Sequence, residues 1–204
     1  MHENRKQLQA QATRERLETV AAKLFAERGF SGVSGEELVA AAEVTRGALY
    51  HHYGGKEGLF AAVVEQTMRD LHAGLVTKAA GARDPIDGLQ RGAAAFLALS
   101  TDVATQRILL VDGPAVLGWQ RWRELDARYG LGLLKQALAG AKLAGLLRDH
   151  HDADMLAHLL LGALTEAAMV IARAKDQAPA RKAAERAILS MIEGWRAQNR
   201  LNEL

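Results

Sequence analysis

The sequence predicts an all-α protein, a three-helix N-terminal helix-turn-helix head followed by a C-terminal helical bundle. Apolar residues recur at i, i+3, i+4 and i+7 in segment after segment, the spacing of a helix face. The chain has only 3 prolines in 204 residues and is 49% hydrophobic, with Ala and Leu prominent. That composition favours helix and supplies a buried core. No segment shows the period-two alternation of a strand.

Leu17, Val20, Ala21, Leu24 and Phe25 form the first stripe. Thr13 suits the N-cap and Gly29 the C′ position, so this helix is expected from about Arg14 to Arg28. Ser34-Gly35-Glu36-Glu37 fits a capping box, in which the Ser34 hydroxyl accepts from the Glu37 N–H and the Glu37 carboxylate reaches back. A second helix, ELVAAA, follows. Glu43-Val44 makes a short turn, Thr45 caps a third helix, and Gly54-Gly55 ends it. A fourth helix starts near Lys56 with Leu59, Phe60, Val63, Val64, Leu71 and Leu75 on its apolar side. Continued to Ala80 it would be roughly 37 Å long, by the rise per residue of an α-helix.

Pro85 suits the first turn of a helix reaching Leu99. A shorter helix over Gln106 to Val111 is interrupted by Asp112-Gly113-Pro114. The stretch from Trp119 to Leu147 is loosened by Gly130, Gly132, Gly140 and Gly145, each costing about 1 kcal/mol relative to Ala in a helix interior. A polar connector, Arg148 to Asp152, leads to an apolar helix from about Ala153 to Lys175. Pro179 stops or starts a helix. The last stripe is Ala184, Ala187, Ile188, Met191, Ile192 and Trp195.

The chain has no cysteine, which removes disulfides and thiolate chemistry and permits a reducing compartment. Its first residues lack the apolar core of a signal peptide. Met155 to Ala172 has the length of a membrane span, but His158, Thr165 and Glu166 within it favour a buried helix of a soluble protein. A cytoplasmic protein without a membrane partner is expected. The net charge is +2, and through Lys56 there are 8 Lys and Arg against 7 Asp and Glu. Any nucleic-acid argument therefore rests on where the charges sit.

Residues 45 to 56, TRGALYHHYGGK, carry the chemistry. Two helices joined by a short turn place the start of the second against DNA base edges, while neighbouring residues grip phosphates. Arg46 stands where a bidentate contact to guanine is made, and Ala48 can meet a thymine methyl. Gly47 lets a base or phosphate approach closely. Tyr50, His51 and His52 offer donors to phosphate oxygens. Lys56 adds an ammonium beside the open N–H groups of the next helix. Leu49 and Tyr53 face inward. Spacing alone would equally fit two helices packed for structure. The Arg, Tyr and paired His facing water are what favour DNA.

The stretch FAERGFSGVSGEELVAAAEVTRGALYHHYGGKEGLF resembles the DNA-binding head of TetR-family transcriptional regulators. Phe25, Gly29 and Phe30, the Ser34 start, the Val44-Thr45-Arg46-Gly47 turn, Leu49-Tyr50 and Lys56-Glu57-Leu59-Phe60 carry the likeness. It covers about residues 14 to 62, and Tyr53 stands where the family often has Phe. The resemblance implies an all-α homodimer on a palindromic double-stranded operator, released by a small molecule, and most often a repressor. It implies a DNA-binding domain over residues 1–56 and an effector-binding and dimerisation domain over 57–204. DNA contacts are expected from Ser34, Thr45, Arg46, Gly47, Ala48, Tyr50, His51, His52 and Lys56.

The apolar helix near residues 153–175 needs cover on more than one side. With the last helix it is expected to make a four-helix, two-fold interface through Leu160, Leu164, Ala168, Ile188, Met191 and Trp195. A mainly apolar effector is expected against Phe96, Leu110, Trp119, Trp122, Glu166 and Met169, with a tilt of the fourth helix after which the heads no longer match successive major grooves. Trp119 and Trp122 share a helical face and favour a core position over cofactor stacking. Glu166 is compatible with a pocket, a dimer contact or solvent. No cofactor and no metal is expected: His51 and His52 point about 100° apart, and Asp149 to Asp154 reads as a solvated connector with Asp152 as a cap. No nucleophile, phosphate-loop or zinc-protease motif is present, so no enzyme is expected. A small-molecule carrier or interaction module built on the same bundle is the other alternative, and it leaves residues 45 to 56 unexplained.

Overall fold

A computed structural model describes residues 2–197. The first residue and the last seven, at the ends of the expected domains, lie outside it. Among the described residues there is no strand, only an isolated antiparallel bridge between Leu147 and Arg196. The α-helices are α1 (His2–Arg28), α2 (Gly35–Ala41), α3 (Arg46–Tyr53), α4 (Lys56–Ala79), α5 (Pro85–Leu99), α6 (Val103–Thr105), α7 (Gly113–Leu117), α8 (Trp119–Asp126), α9 (Gly132–Leu143), α10 (Ala153–Arg173) and α11 (Gln177–Gly194). Two π-helical segments, Gln106–Asp112 and Ala127–Leu131, run between α6 and α7 and between α8 and α9.

The caps set most boundaries. The capping box of α2 is complete, with Glu37 N–H donating to Ser34 Oγ at 3.2 Å and Ser34 N–H to Glu37 Oε2 at 2.8 Å. Thr45 Oγ1 accepts from Ala48 N–H at 3.2 Å and opens α3, which Gly54 closes at φ 72°. Asp84 and Asp152 cap α5 and α10 in the same way, and Pro179 lies in the first turn of α11. Thr13 does not cap α1. Its hydroxyl donates to the Gln9 carbonyl at 2.9 Å, and the helix continues back to His2 through a polar run that has no stripe to betray it.

The chain divides into two compact units, with divisions inside α4, between Asp102 and Val103, and inside α8. The first unit takes residues through Met68 together with Val103–Trp122. Its core holds Leu17, Phe25, Leu38, Leu49, Leu59 and Phe60, all essentially inaccessible. The rings of Phe25, Phe30 and Phe60 lie 5.1 to 5.8 Å apart and lock α1 to the start of α4. The second unit takes Arg69–Asp102 and the chain from Arg123. Leu89, Leu97, Leu138, Leu160, Ile171 and Ile192 centre its core. Each such side chain contributes about 1.5–3 kcal/mol by leaving water.

Among the described residues, one helix, α10, is long and apolar enough to cross a membrane. One side of it is buried in its own unit, where Leu156, Ala157, Leu160, Leu164, Ala168 and Ile171 pack inward.

Candidate nucleic-acid interface

The opening turn of α3 stands in solvent. Thr45, Arg46 and Gly47 are exposed, Ala48 is half-buried, and Tyr50 is 52% exposed. Leu49, 2% exposed, is the anchor that seats the helix. Alternation of this kind is what a helix needs to present one face outward while the other holds it in place. A Cβ on Gly47 would come no nearer than 3.8 Å to its closest neighbour, so no packing inside the protein requires a glycine there. Gly47 is exposed, so the open space there is solvent.

Arg46 is pre-positioned rather than free. Its guanidinium lies 5.6 Å from the centre of the Tyr50 ring and 3.4 Å from Glu36 Oε1 at the start of α2. Tyr50 first, then Glu36, hold its proton more firmly. Both members of the ion pair are largely exposed, so the pair is weak. His51 is exposed and His52 half-buried, with ring centres 5.0 Å apart. Burial, then His51 and Arg14, hold the His52 imidazole below its usual pKa. Tyr53 turns inward as expected, donating to Glu18 Oε1 at 2.8 Å on α1. Burial and that bond push its phenol up.

Lys56 makes contacts within the head itself. Its ammonium donates to the carbonyls of Phe30 at 3.1 Å and Val33 at 3.0 Å, and lies 3.9 Å from the Phe30 ring centre. The loop between α1 and α2 leaves those carbonyls without helical partners, and Lys56 satisfies them. It clasps the loop through those two carbonyls. Ser34 is exposed, but its oxygen already serves the α2 cap.

Two residues outside the expected set hold the head together. Arg107, in the first π-helical segment, donates to the carbonyls of Ala26 at 3.0 Å and of Glu27, the open end of α1. Asp112, at the end of that segment, accepts the Phe30 N–H at 2.8 Å. The sequence marked Asp112 only as a helix break before Gly113-Pro114. Nothing near Arg107 signalled a partner some eighty residues earlier. The turn between α2 and α3 also holds a strained residue, Glu43, at φ 53°.

The expected effector residues fall in both units. Leu110, Trp119 and Trp122 belong to the first, and Phe96, Glu166 and Met169 to the second. Trp122 is buried and donates to the Leu109 carbonyl at 2.8 Å. Trp119 is not a core residue: it is 60% exposed and stacks on Trp122 with ring centres 5.2 Å apart. Three residues span less than one full turn, so the outer ring of the pair covers the inner one. Phe96 and Met169 are half-buried, Leu110 likewise, and Glu166 is exposed on α10.

The expected interface residues pack within the protomer. Leu160, Leu164, Ile188 and Trp195 lie within the core of their own unit, with Met191 packed against it, and Ala168 is also buried. They face inward and are already covered. The apolar residues that α10 turns to solvent are Met155, Leu159 and Val170, with Gly162 and Glu166 on the same side. On α11 the exposed positions include Ala183, Ala187, Ser190 and Gly194. A helix apolar all round does not reveal in sequence which side its own bundle takes. Among the described residues no group of three or more His, Asp or Glu could hold a metal ion.

Residues 19–63 match the profile of the bacterial regulatory proteins of the tetR family, and residues 86–195 that of the tetracyclin repressor-like C-terminal domain. A crystallised TetR-family transcriptional regulator from Pectobacterium atrosepticum is 32% identical, with a TM-score of 0.82 over 95% of this chain and 98% of that one. The Transposon Tn10 TetC protein of Escherichia coli is 27% identical over 164 residues, 79% of this chain and 81% of its own length. The HTH-type transcriptional regulator UidR of Escherichia coli is 30% identical over 109 residues, 52% of each chain.

Proposed function

This chain belongs to the TetR family of transcriptional regulators, and from that premise we propose how it reads DNA and answers its effector. It is a ligand-responsive DNA-binding regulator, and such proteins usually act as dimers. Residues 1–56 bind DNA in the cytoplasm, and residues 57–204 bind effector and a second copy. Arg46 reads a base through its guanidinium after leaving Glu36, Gly47 and Ala48 admit the base edge, and Tyr50, His51 and His52 hold the flanking phosphates. The observation that carries this reading is the outward opening turn of α3 seated on a buried Leu49.

In the dimer the outer side of α10, with Met155, Leu159, Gly162 and Val170, meets α11 of the second copy along Ala183, Ala187 and Ser190. The small residues allow close approach, and the pair of recognition helices is then spaced one DNA turn apart, about 34–36 Å. The effector is mainly apolar. It acts by favouring a disposition of the heads that no longer fits successive major grooves, which requires unequal affinity for the two states. In vitro selection of duplexes bound by the full chain tests the reading: a palindromic consensus supports it, and no enrichment over random sequence rejects it.

A further inference from the structure

The outer side of the α10 and α11 pair carries two opposite charges that its own protomer does not use. On α10 the exposed residues Met155, Leu159, Gly162, Glu166, Val170 and Arg173 recur in steps of three and four, a single stripe opposite the buried side. Glu166 stands at its centre. On α11 the exposed residues Pro179, Ala183, Arg186, Ser190 and Gly194 recur in the same way. Among the described residues neither Glu166 nor Arg186 makes a hydrogen bond or an ion pair. Gly162 also has no task inside the protomer. A Cβ there would meet nothing within 4 Å, and glycine in a helix interior costs stability.

A second copy laid on the α10 stripe takes Glu166 out of water, and a carboxylate moved out of water requires a cation beside it. The geometry of the two helices supplies one. They are joined by residues 174–176 and form an antiparallel hairpin. At the helical rise per residue, Glu166 stands about 10 Å from the turn and Arg186 about 14 Å from it. A two-fold axis crossing the hairpin between these levels lays the partner's α11 parallel to α10. The two stripes then keep step. Leu159 meets the partner's Pro179, Gly162 meets the partner's Ala183, Glu166 meets the partner's Arg186, and Val170 meets the partner's Ser190. The other nearby cations do not match this level. Lys182 falls beside Gly162 in the same register, and Arg173 is two turns from Glu166 at the end of its helix.

We propose that Glu166 and the partner's Arg186 form an ion pair, made twice by the two-fold axis, which sets the register of the dimer and selects the chain that a protomer accepts. This rests on the reading of the outer side of α10 as the dimer face, and it names the charged contact within that face.

The test is analytical ultracentrifugation of the full-length protein without DNA. Glu166→Arg opposes two guanidinium groups at both contacts, and Arg186→Glu opposes two carboxylates. Each raises the dimer dissociation constant at least about a hundredfold, because the symmetry applies every substitution twice. Mixing the two single variants restores a dimer, a heterodimer with one native pair and one reversed pair, within about tenfold of the wild-type affinity. A misfolded variant would not recover in this way. The double variant Glu166→Arg, Arg186→Glu regains a homodimer to the same extent. Single variants that dimerise like the wild type, a mixture that stays monomeric, or recovery of Glu166→Arg by Lys182→Glu or Arg173→Glu instead of Arg186→Glu overturns the proposal. A monomeric wild type overturns the dimer face as well, whereas a wild-type dimer indifferent to both substitutions overturns the ion pair alone.

Discussion

The Asp112 carboxylate accepts the Phe30 backbone N–H at 2.8 Å, joining residues 82 apart in sequence. It does so at the turn where Gly29, at φ 74°, ends α1. Arg107 closes the same helix end through the Ala26 and Glu27 carbonyls. The segment Val103–Trp122 is thereby part of the unit that contains the recognition helix. Asp112→Ala leaves a part-buried N–H without its charged acceptor, which costs about 1.5–3 kcal/mol. Urea unfolding of the variant should show a lower midpoint, and an unchanged midpoint would show that the bond contributes nothing.

Lys56 and Tyr50 should separate stability from DNA affinity. Lys56→Ala removes a clasp on two loop carbonyls and lowers stability by about 1–2 kcal/mol, while the slope of log affinity against log salt stays as in the wild type. Tyr50→Ala leaves stability within about 0.5 kcal/mol and weakens binding to every duplex alike. Thermal melts and salt-dependent gel shifts on both variants decide the matter. A reduced salt slope for Lys56→Ala would restore it as a phosphate contact.

Glu43 holds a left-handed conformation, φ 53°, in the turn between α2 and α3. L residues adopt this region at a cost, and glycine does not. Glu43→Gly should therefore stabilise the head by about 0.5–1 kcal/mol, the strain relieved exceeding the extra freedom of the unfolded chain. A fall in Tm would mean that the Glu43 side chain makes up for its backbone.

The raised carboxyl of Asp126 predicts a signed pH effect. Its folded pKa is about 6 against 3.8 for an ordinary Asp. Between these values the folded state holds the proton more tightly. The contribution is fully present below the unfolded pKa and is lost as pH rises through the folded one, up to about 3 kcal/mol. The difference in unfolding free energy between wild type and Asp126→Asn should therefore move against the wild type from pH 4 to pH 6 and then level off. His52 and His151 titrate in the reverse sense, their folded pKa values lying below the ordinary His value. Both are common to the two proteins and cancel in the difference. A flat difference would show the acid to be ordinarily solvated.

An interface on the outer side of α10 should be sensitive at its smallest residue. Gly162 is exposed, and a Cβ there would meet nothing within 4 Å in the protomer. Gly162→Arg should leave the helical content unchanged and convert dimer to monomer in light scattering. A dimer that survives the substitution would place the interface elsewhere.

The sequence was most legible where local chemistry decides the outcome. The Ser34–Glu37 box, the Thr45 cap, the Gly54 stop and the Asp152 cap are written in residue types that serve few other purposes. The outward set Arg46, Gly47 and Tyr50 followed from the same reading. The polar start of α1 was hidden because a helix with no buried side has no stripe. The π-helical segments were hidden because one inserted residue leaves the apolar pattern nearly unchanged. The clasp made by Lys56 was hidden because a lysine beside a helix start looks alike whether it awaits a phosphate or satisfies carbonyls folded back from residues 30 and 33. Arg107 and Asp112 owe their roles to partners that only the tertiary fold supplies.

The central claim is that the opening turn of α3 reads DNA, and fluorescence anisotropy on a selected operator tests it most directly. Wild type, Arg46→Ala and Tyr50→Ala would be titrated against that duplex and against single-base variants. Arg46→Ala should lose about 1–3 kcal/mol of discrimination at one base pair in each half-site and little at the others. Tyr50→Ala should lose affinity for all duplexes equally. Discrimination and affinity unchanged in both variants would contradict the account.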